Sequence, residues 1–349
     1  MAVTDYIIVL CHGYLLLVII GTMMNAVVIV VMTNKELRQF SVCIYILALS
    51  FIDILYLWFH YLRLWLEGNK IIVEISHGYC KFSQFFSATC TNISCCIMVA
   101  IALERLVSVT SALLRRKYFT HGKVKFITFC ICFVIYCLDS YWLIYTHAIK
   151  DGDSWQCSIA KSPASHTIHT TCTYFIGYSP IAIVLCLNIA IFVRLQYQYR
   201  GLFVIRQQAS LDQVTQLQQK NRRIIDRQLT IMLCSSSLMF IITTTPNAIY
   251  GIIHHANFNN QPSLIYNIVT FTAGLNYSVK FLIYLYFGRS FRLKFLDMSH
   301  LRSKKRSDCP HIESQNMEMA RRDIVHPQVN SILTTRLVAN GIESSVLPS

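Results

Sequence analysis

The sequence predicts an all-α membrane protein: a seven-transmembrane helix bundle followed by a short amphipathic eighth helix. Three observations predict it. Of 349 residues, 54% are hydrophobic and only 14% charged, with mean hydropathy +0.46. A soluble domain carries about 25% charged residues, so much of this surface must face lipid. Seven apolar runs reach the roughly 20 residues that cross a bilayer core of about 30 Å. Basic residues, finally, crowd alternate connections between the runs. Strand-like alternation is absent, which argues against a β-barrel.

The first run, about Tyr6–Met32, follows Asp5 with no Lys/Arg head and shows no small-residue cleavage pattern. It reads as a spanning helix rather than a signal peptide. The others are about Ser41–Leu66, Tyr79–Val109, Val124–His147, Thr171–Gln196, Ile224–His254 and Ser263–Phe287. Between the fifth and sixth runs lies a Gln-rich stretch in which Leu211, Val214 and Leu217 recur every three residues. Either the flanking helices continue into it, or it is a flexible polar loop. After the seventh run, Phe291 and Phe295 stand four apart beside Arg292 and Lys294, the pattern of a short helix lying on a membrane face. Beyond Ser299 periodicity is lost, which predicts disorder. Ser303, Ser307, Thr334, Thr335, Ser344 and Ser345 offer phosphorylation sites there. The expected division is residues 1–5, a short extracellular N-terminus; 6–287, the bundle; 288–298, the membrane-surface helix; and 299–349, a disordered cytoplasmic tail.

The formal charge of +14 does not point to nucleic acid once its distribution is read. Lys35, Arg38, Arg115, Arg116, Lys117, Lys123, Lys125 and the basic residues from Arg194 to Arg227 fall on one side. The other side holds only Arg63, Lys70, Lys81, Lys150 and Lys161. The positive-inside rule then places the N-terminus outside, with the basic side against anionic inner-leaflet lipid. Most of the 14 cysteines lie within runs, where Cys behaves as a small hydrophobe. Their spacing suggests no metal site, and no cofactor is expected. Cys80 and Cys157 differ, both falling on the oxidising side.

Polar groups inside spans are costly and mark function. In order they are Asn25, Asp53, Ser94, the Glu104-Arg105-Leu106 end of span three, Pro180, Pro246, Lys280 and Tyr284. Cys80 precedes Arg105 by 25 residues. In this order and spacing the chain resembles the rhodopsin-like (class A) G-protein-coupled receptors, over roughly residues 6–297. Leu275 to Tyr284, followed by Phe287 to Arg292, is similar to peptide-receptor members.

The resemblance implies a Cys80–Cys157 disulfide, against which two free thiols are the plain alternative. It implies a coupling switch at Glu104, Arg105, Asp226 and Tyr284: an acid holds Arg105 until span six swings outward and opens a groove for a heterotrimeric G protein. The plain alternative is a surface ion pair worth ~0–1 kcal/mol. The resemblance also implies an intramembrane polar core of Asn25, Asp53 and Ser94, with a sodium ion near the last two. Here Lys280 stands where the family has Asn in its Asn-Pro-x-x-Tyr motif. Its ammonium is expected either to pair with Asp53 in place of the ion or to snorkel toward the interface. Span six reads Thr243-Thr244-Thr245-Pro246 in place of Cys-Trp-x-Pro, so the usual indole is missing. Hydroxyls there are expected to bond carbonyls freed by Pro246. The chain is not an opsin by spacing, since Gly274 occupies the retinal-lysine position.

Between the outer halves of the spans a ligand cavity is expected. Its candidates are Tyr61, Gln84, Ser87, Ala88 and Asn92 from the first half of the chain, and Asn247, Tyr250, Tyr266 and Thr270 from the second. Ser87 replaces the Asp of amine receptors. Arg63 is expected to meet a ligand carboxylate or to snorkel, and Asp139 to read a ligand cation or to pack against a polar neighbour. The sequence thus implies a non-enzymatic plasma-membrane receptor for an extracellular ligand, a neuropeptide by resemblance, coupled to a G protein, with arrestin at the phosphorylated tail. The rivals are a ligandless or constitutively active receptor and, from another class, a transporter, which would show internal repeats.

Overall fold

The computed structural model describes residues 3–35, 37–38, 40–69, 71, 76–151, 154–160, 162–205, 213–254 and 264–298. Its helices are α1 (Val3–Met32), α2 (Val42–Tyr56), α3 (Leu62–Gly68), α4 (His77–Thr110), α5 (Ala112–Tyr118), α6 (His121–Asp139) and α7 (Tyr141–Tyr145). A hairpin of β1 (Thr146–Asp151) and β2 (Ser154–Ile159) precedes α8 (Pro163–Cys172), α9 (Ser179–Ile205), α10 (Gln213–His254), α11 (Leu264–Phe287) and α12 (Arg289–Met298). Among the described residues 7 stretches are long and apolar enough to cross a membrane: Val9–Met32, Val42–Gly68, His77–Thr110, His121–Tyr145, Pro163–Tyr197, Gln228–Ile253 and Leu264–Phe287. The eighth helix is α12. Contacts divide the chain after Leu293, and the bundle lies in the first unit.

Local chemistry sets the element ends. Ser76 is extended and its hydroxyl accepts the Tyr79 N–H at 3.2 Å, starting α4, as an N-cap does. Ser162 and Ser165 form a capping box with Pro163 in the first turn of α8. Span four leaves the helix at Tyr145 rather than His147, because the chain turns into β1 there. Spans two and five each contain a π-helical turn, Leu57–Tyr61 and Thr173–Tyr178, which rotates every later residue relative to simple helical counting. Among the described residues the helical alternative holds: α9 runs on to Ile205 and α10 begins at Gln213, while residues 206–212, with Leu211, lie outside the described residues. The tail expected from residue 299 lies outside the described residues.

Lipid supplies no hydrophobic drive between helices, so close contact rests on small residues and hydrogen bonds. Span seven therefore meets spans one and two through glycines. A Cβ on Gly21 would lie 2.5 Å from Leu57 and 2.6 Å from the Ser278 hydroxyl; one on Gly274 would lie 2.6 Å from Leu17 and 2.8 Å from the Tyr61 ring. Asn25 Nδ2 donates to the carbonyls of Gly21 (2.9 Å) and Tyr277 (2.7 Å), and Ser278 Oγ to that of Leu17 (3.2 Å). Around these contacts pack buried Tyr14, Tyr56, Leu57, Tyr61 and Tyr277. Phe126, Phe129, Phe133, Phe175 and Phe192 are exposed, as residues facing acyl chains are.

Candidate functional site

At the Arg105 end of α4, Glu104 is fully buried and Arg105 is 1% exposed. One carboxylate oxygen, Glu104 Oε1, accepts Ser41 Oγ at 2.6 Å and Arg105 Nη2 at 3.1 Å, with Arg115 Nε at 3.7 Å. Consecutive helix residues do not normally face one another, so Arg105 curls back to reach its neighbour. Arg115 arrives because Ser111 leaves the helix (φ −152°, ψ 111°) and caps α5, accepting the Leu114 N–H at 3.3 Å. This corrects the assignment of Arg115 to the lipid surface: it turns inward, while Arg116 and Lys117 stay exposed. Of the expected switch residues, Glu104 and Arg105 come together. Tyr284 is buried edge-on against Phe291 of the eighth helix, with ring centroids 6.0 Å apart. Asp226 falls on α10, and its side chain lies outside the described residues. Ser41 and Arg115 are site residues that sequence reading missed.

In mid-bundle, Lys280 Nζ donates to Asp53 Oδ2 at 2.6 Å, with side chains 3% and 0% exposed. Ser94 Oγ donates to the other carboxylate oxygen at 3.4 Å, and the Lys280 ammonium sits 5.5 Å from the Tyr277 ring centroid. Of the two expectations for Lys280, this geometry is the ion pair. The sodium ion implied by resemblance does not fit these residues, since a tethered cation already occupies the carboxylate. Asn25, by contrast, is spent on backbone carbonyls of spans one and seven.

At the Cys80 end, a disulfide joins Cys80 to Cys157 (Cα–Cα 5.5 Å). Cys157 stands opposite Ala148 in the hairpin, and the Ala148 N–H donates to His77 Nδ1 at 3.1 Å. The hairpin is thus fastened to the head of α4 twice. Several ligand-site candidates pair with other residues of the bundle. The Tyr61 hydroxyl donates to the Thr270 carbonyl at 2.8 Å, and Ser87 Oγ and His60 Nδ1 are 2.8 Å apart. Asn92 Nδ2 donates to both oxygens of buried Asp139 at 3.0 Å, so Asp139 packs against a polar neighbour. The Tyr250 and Tyr266 rings are 5.8 Å apart; Gln84, Ala88 and Asn247 are half-buried. Arg63 donates to Ser83 Oγ at 3.3 Å and lies 3.6 Å from Glu67. A shallow apolar cleft lies at the opposite, Arg105 end, between Met32, Leu37, Cys43, Met232, Gly288 and Phe291. None of the nine candidates lines it.

Pro246 sits inside α10 and removes the N–H that would bond the Ile242 carbonyl. The hydroxyls of Thr243, Thr244 and Thr245 donate to the carbonyls of Met239 (2.8 Å), Phe240 and Ile241 (2.6 Å). These contacts corrects the expectation that threonines take the freed carbonyl: the bonds fall on the preceding residues.

Residues 24–284 match the family described as "7 transmembrane receptor (rhodopsin family)". No curated protein matches the chain.

Proposed function

The chain belongs to the rhodopsin family of seven-transmembrane receptors, and from that premise we propose that it passes the binding of an extracellular peptide to a heterotrimeric G protein. The chain is a multi-pass membrane signalling protein. In this reading it resides in the plasma membrane with its N-terminus outside and its Arg105 end in the cytosol, as the basic side of the sequence argues. Arrestin would engage the tail once phosphorylated.

One observation carries the coupling: the buried Glu104–Arg105 pair at 3.1 Å. A charge pair with no access to water is costly to assemble, and breaking it leaves an uncompensated charge. Such a pair makes a two-state element, which a ligand shifts by binding one state better than the other. The peptide assignment rests on the sequence resemblance and on the broad polar-aromatic set Tyr250, Tyr266, Ser87 and Gln84. A peptide library applied to cells expressing the chain, read by calcium and cyclic nucleotide, tests it. Responses lost in Arg105→Gln at equal surface expression support the reading; responses that persist refute the coupling role.

A ligandless or constitutively active receptor is the second reading. Two observations favour it: Thr244 replaces the usual indole, and Tyr61–Thr270, Ser87–His60 and Asn92–Asp139 satisfy groups expected to meet a ligand. High signalling with no peptide present decides for it.

A further inference from the structure

We propose that Arg115 is a positioning residue for Arg105: a second cation on Glu104 that keeps this carboxylate paired when Arg105 leaves it. The proposal rests on the reading above, in which Arg105 is the moving half of the switch, and adds a residue that the switch pattern does not contain.

Three observations support it. Glu104 is wholly buried, and its Oε1 is shared by Arg105 at 3.1 Å and Arg115 at 3.7 Å. The third partner, the Ser41 hydroxyl at 2.6 Å, supplies a hydrogen bond without charge. The two guanidinium groups also differ in their surroundings: the Arg105 side chain is 1% exposed, and that of Arg115 is 18% exposed. Finally, Arg115 is mounted on its own helix, α5, beyond the break at Ser111. Its approach to Glu104 is therefore set by the turn at Ser111 and not by continuation of α4.

The physical consequence follows from burial. With Arg105 as sole cation, its departure would strand an anion in a site without water, a severe penalty. With Arg115 already beside the same oxygen, the carboxylate exchanges one guanidinium for another. The planar fork of Arg can move from a loose to a close contact with little reordering. Arg115 also draws Glu104 charge away from Arg105 in the paired state. Both effects have the same sign: Arg115 lowers the free energy of the released state relative to the paired one.

Thermal stability of the full-length chain in detergent tests the shared carboxylate without any ligand. Arg105→Gln and Arg115→Gln should each lower the yield of folded protein about twofold, because one cation remains. The double variant should lose roughly tenfold or more, beyond the product of the singles. Glu104→Gln should rescue the double, and Arg115→Lys, keeping the charge, should leave the Arg105→Gln background unchanged. Losses that merely multiply, or a double variant that Glu104→Gln fails to rescue, overturn the proposal.

Ligand-free nucleotide exchange on co-expressed G protein gives the functional arm. Arg115→Gln should lower exchange about fivefold, and should have no effect when Glu104 is already Gln. An equal drop in both backgrounds overturns the role of Arg115, since it would then touch the G protein directly. Exchange that Glu104→Gln itself leaves unmoved overturns the underlying switch instead.

Discussion

Lys280 and Asp53 decide the character of the mid-bundle. Their 2.6 Å contact sits in a region with almost no solvent access. Removing one partner strands a buried charge, whereas replacing both by neutral groups of similar size removes the desolvation cost together with the attraction. Lys280→Met should therefore destabilise the solubilised protein by about 3–5 kcal/mol, and Asp53→Asn/Lys280→Met should recover most of the loss. Heat-inactivation curves of the three proteins measure this; a double variant no better than Lys280→Met contradicts it. Because the cation is tethered, replacing sodium with potassium should leave the melting temperature of the natural sequence unchanged. A sodium-dependent rise abolished by Asp53→Asn would contradict the pairing. The pair was legible in outline, because a lysine amid apolar residues needs a partner and Asp53 is the matching charge by family position. The three-way sharing of Glu104 was not legible, since Ser41, Glu104 and Arg115 converge only through the turn at Ser111 and the packing of spans two and three.

At the scale of elements, glycines let span seven approach spans one and two closely. Gly274→Val should push Tyr61 off the Thr270 carbonyl and cost about 1–3 kcal/mol through overpacking. Surface expression and melting temperature should both fall, and a variant as stable as the natural protein would contradict the geometry. The hairpin offers a second prediction. Cys80→Ser, Cys157→Ser and the double variant should lose the same stability, about 2–4 kcal/mol, because each removes one shared crosslink. Additive losses would contradict this. The spans themselves were readable because length and apolarity follow from bilayer thickness. The π-helical turns were not, since a one-residue shift leaves the apolar run intact while rotating Tyr61 into the core. The hairpin carried only a weak signal, Asp151-Gly152 between two short polar strands.

For the molecule as a whole, the two ends are held together differently. The Cys80 end is tied by a disulfide and a hairpin, while the Arg105 end is held by charges and hydrogen bonds. A covalent tie is permanent, whereas a carboxylate shared by two guanidinium groups can exchange one for the other. In the proposed reading the covalently tied end stays fixed and the Arg105 end moves, as a conformational transmitter requires. The central claim is that Glu104 restrains Arg105 in the resting state. Guanine-nucleotide exchange by heterotrimeric G proteins, in membranes holding equal amounts of natural protein, Glu104→Gln or Glu104→Gln/Arg105→Gln and no added ligand, tests it most directly. Glu104→Gln should raise exchange about fivefold or more, and the added Arg105→Gln should abolish the gain. Identical exchange from all three proteins, across every G-protein class tried, would contradict it.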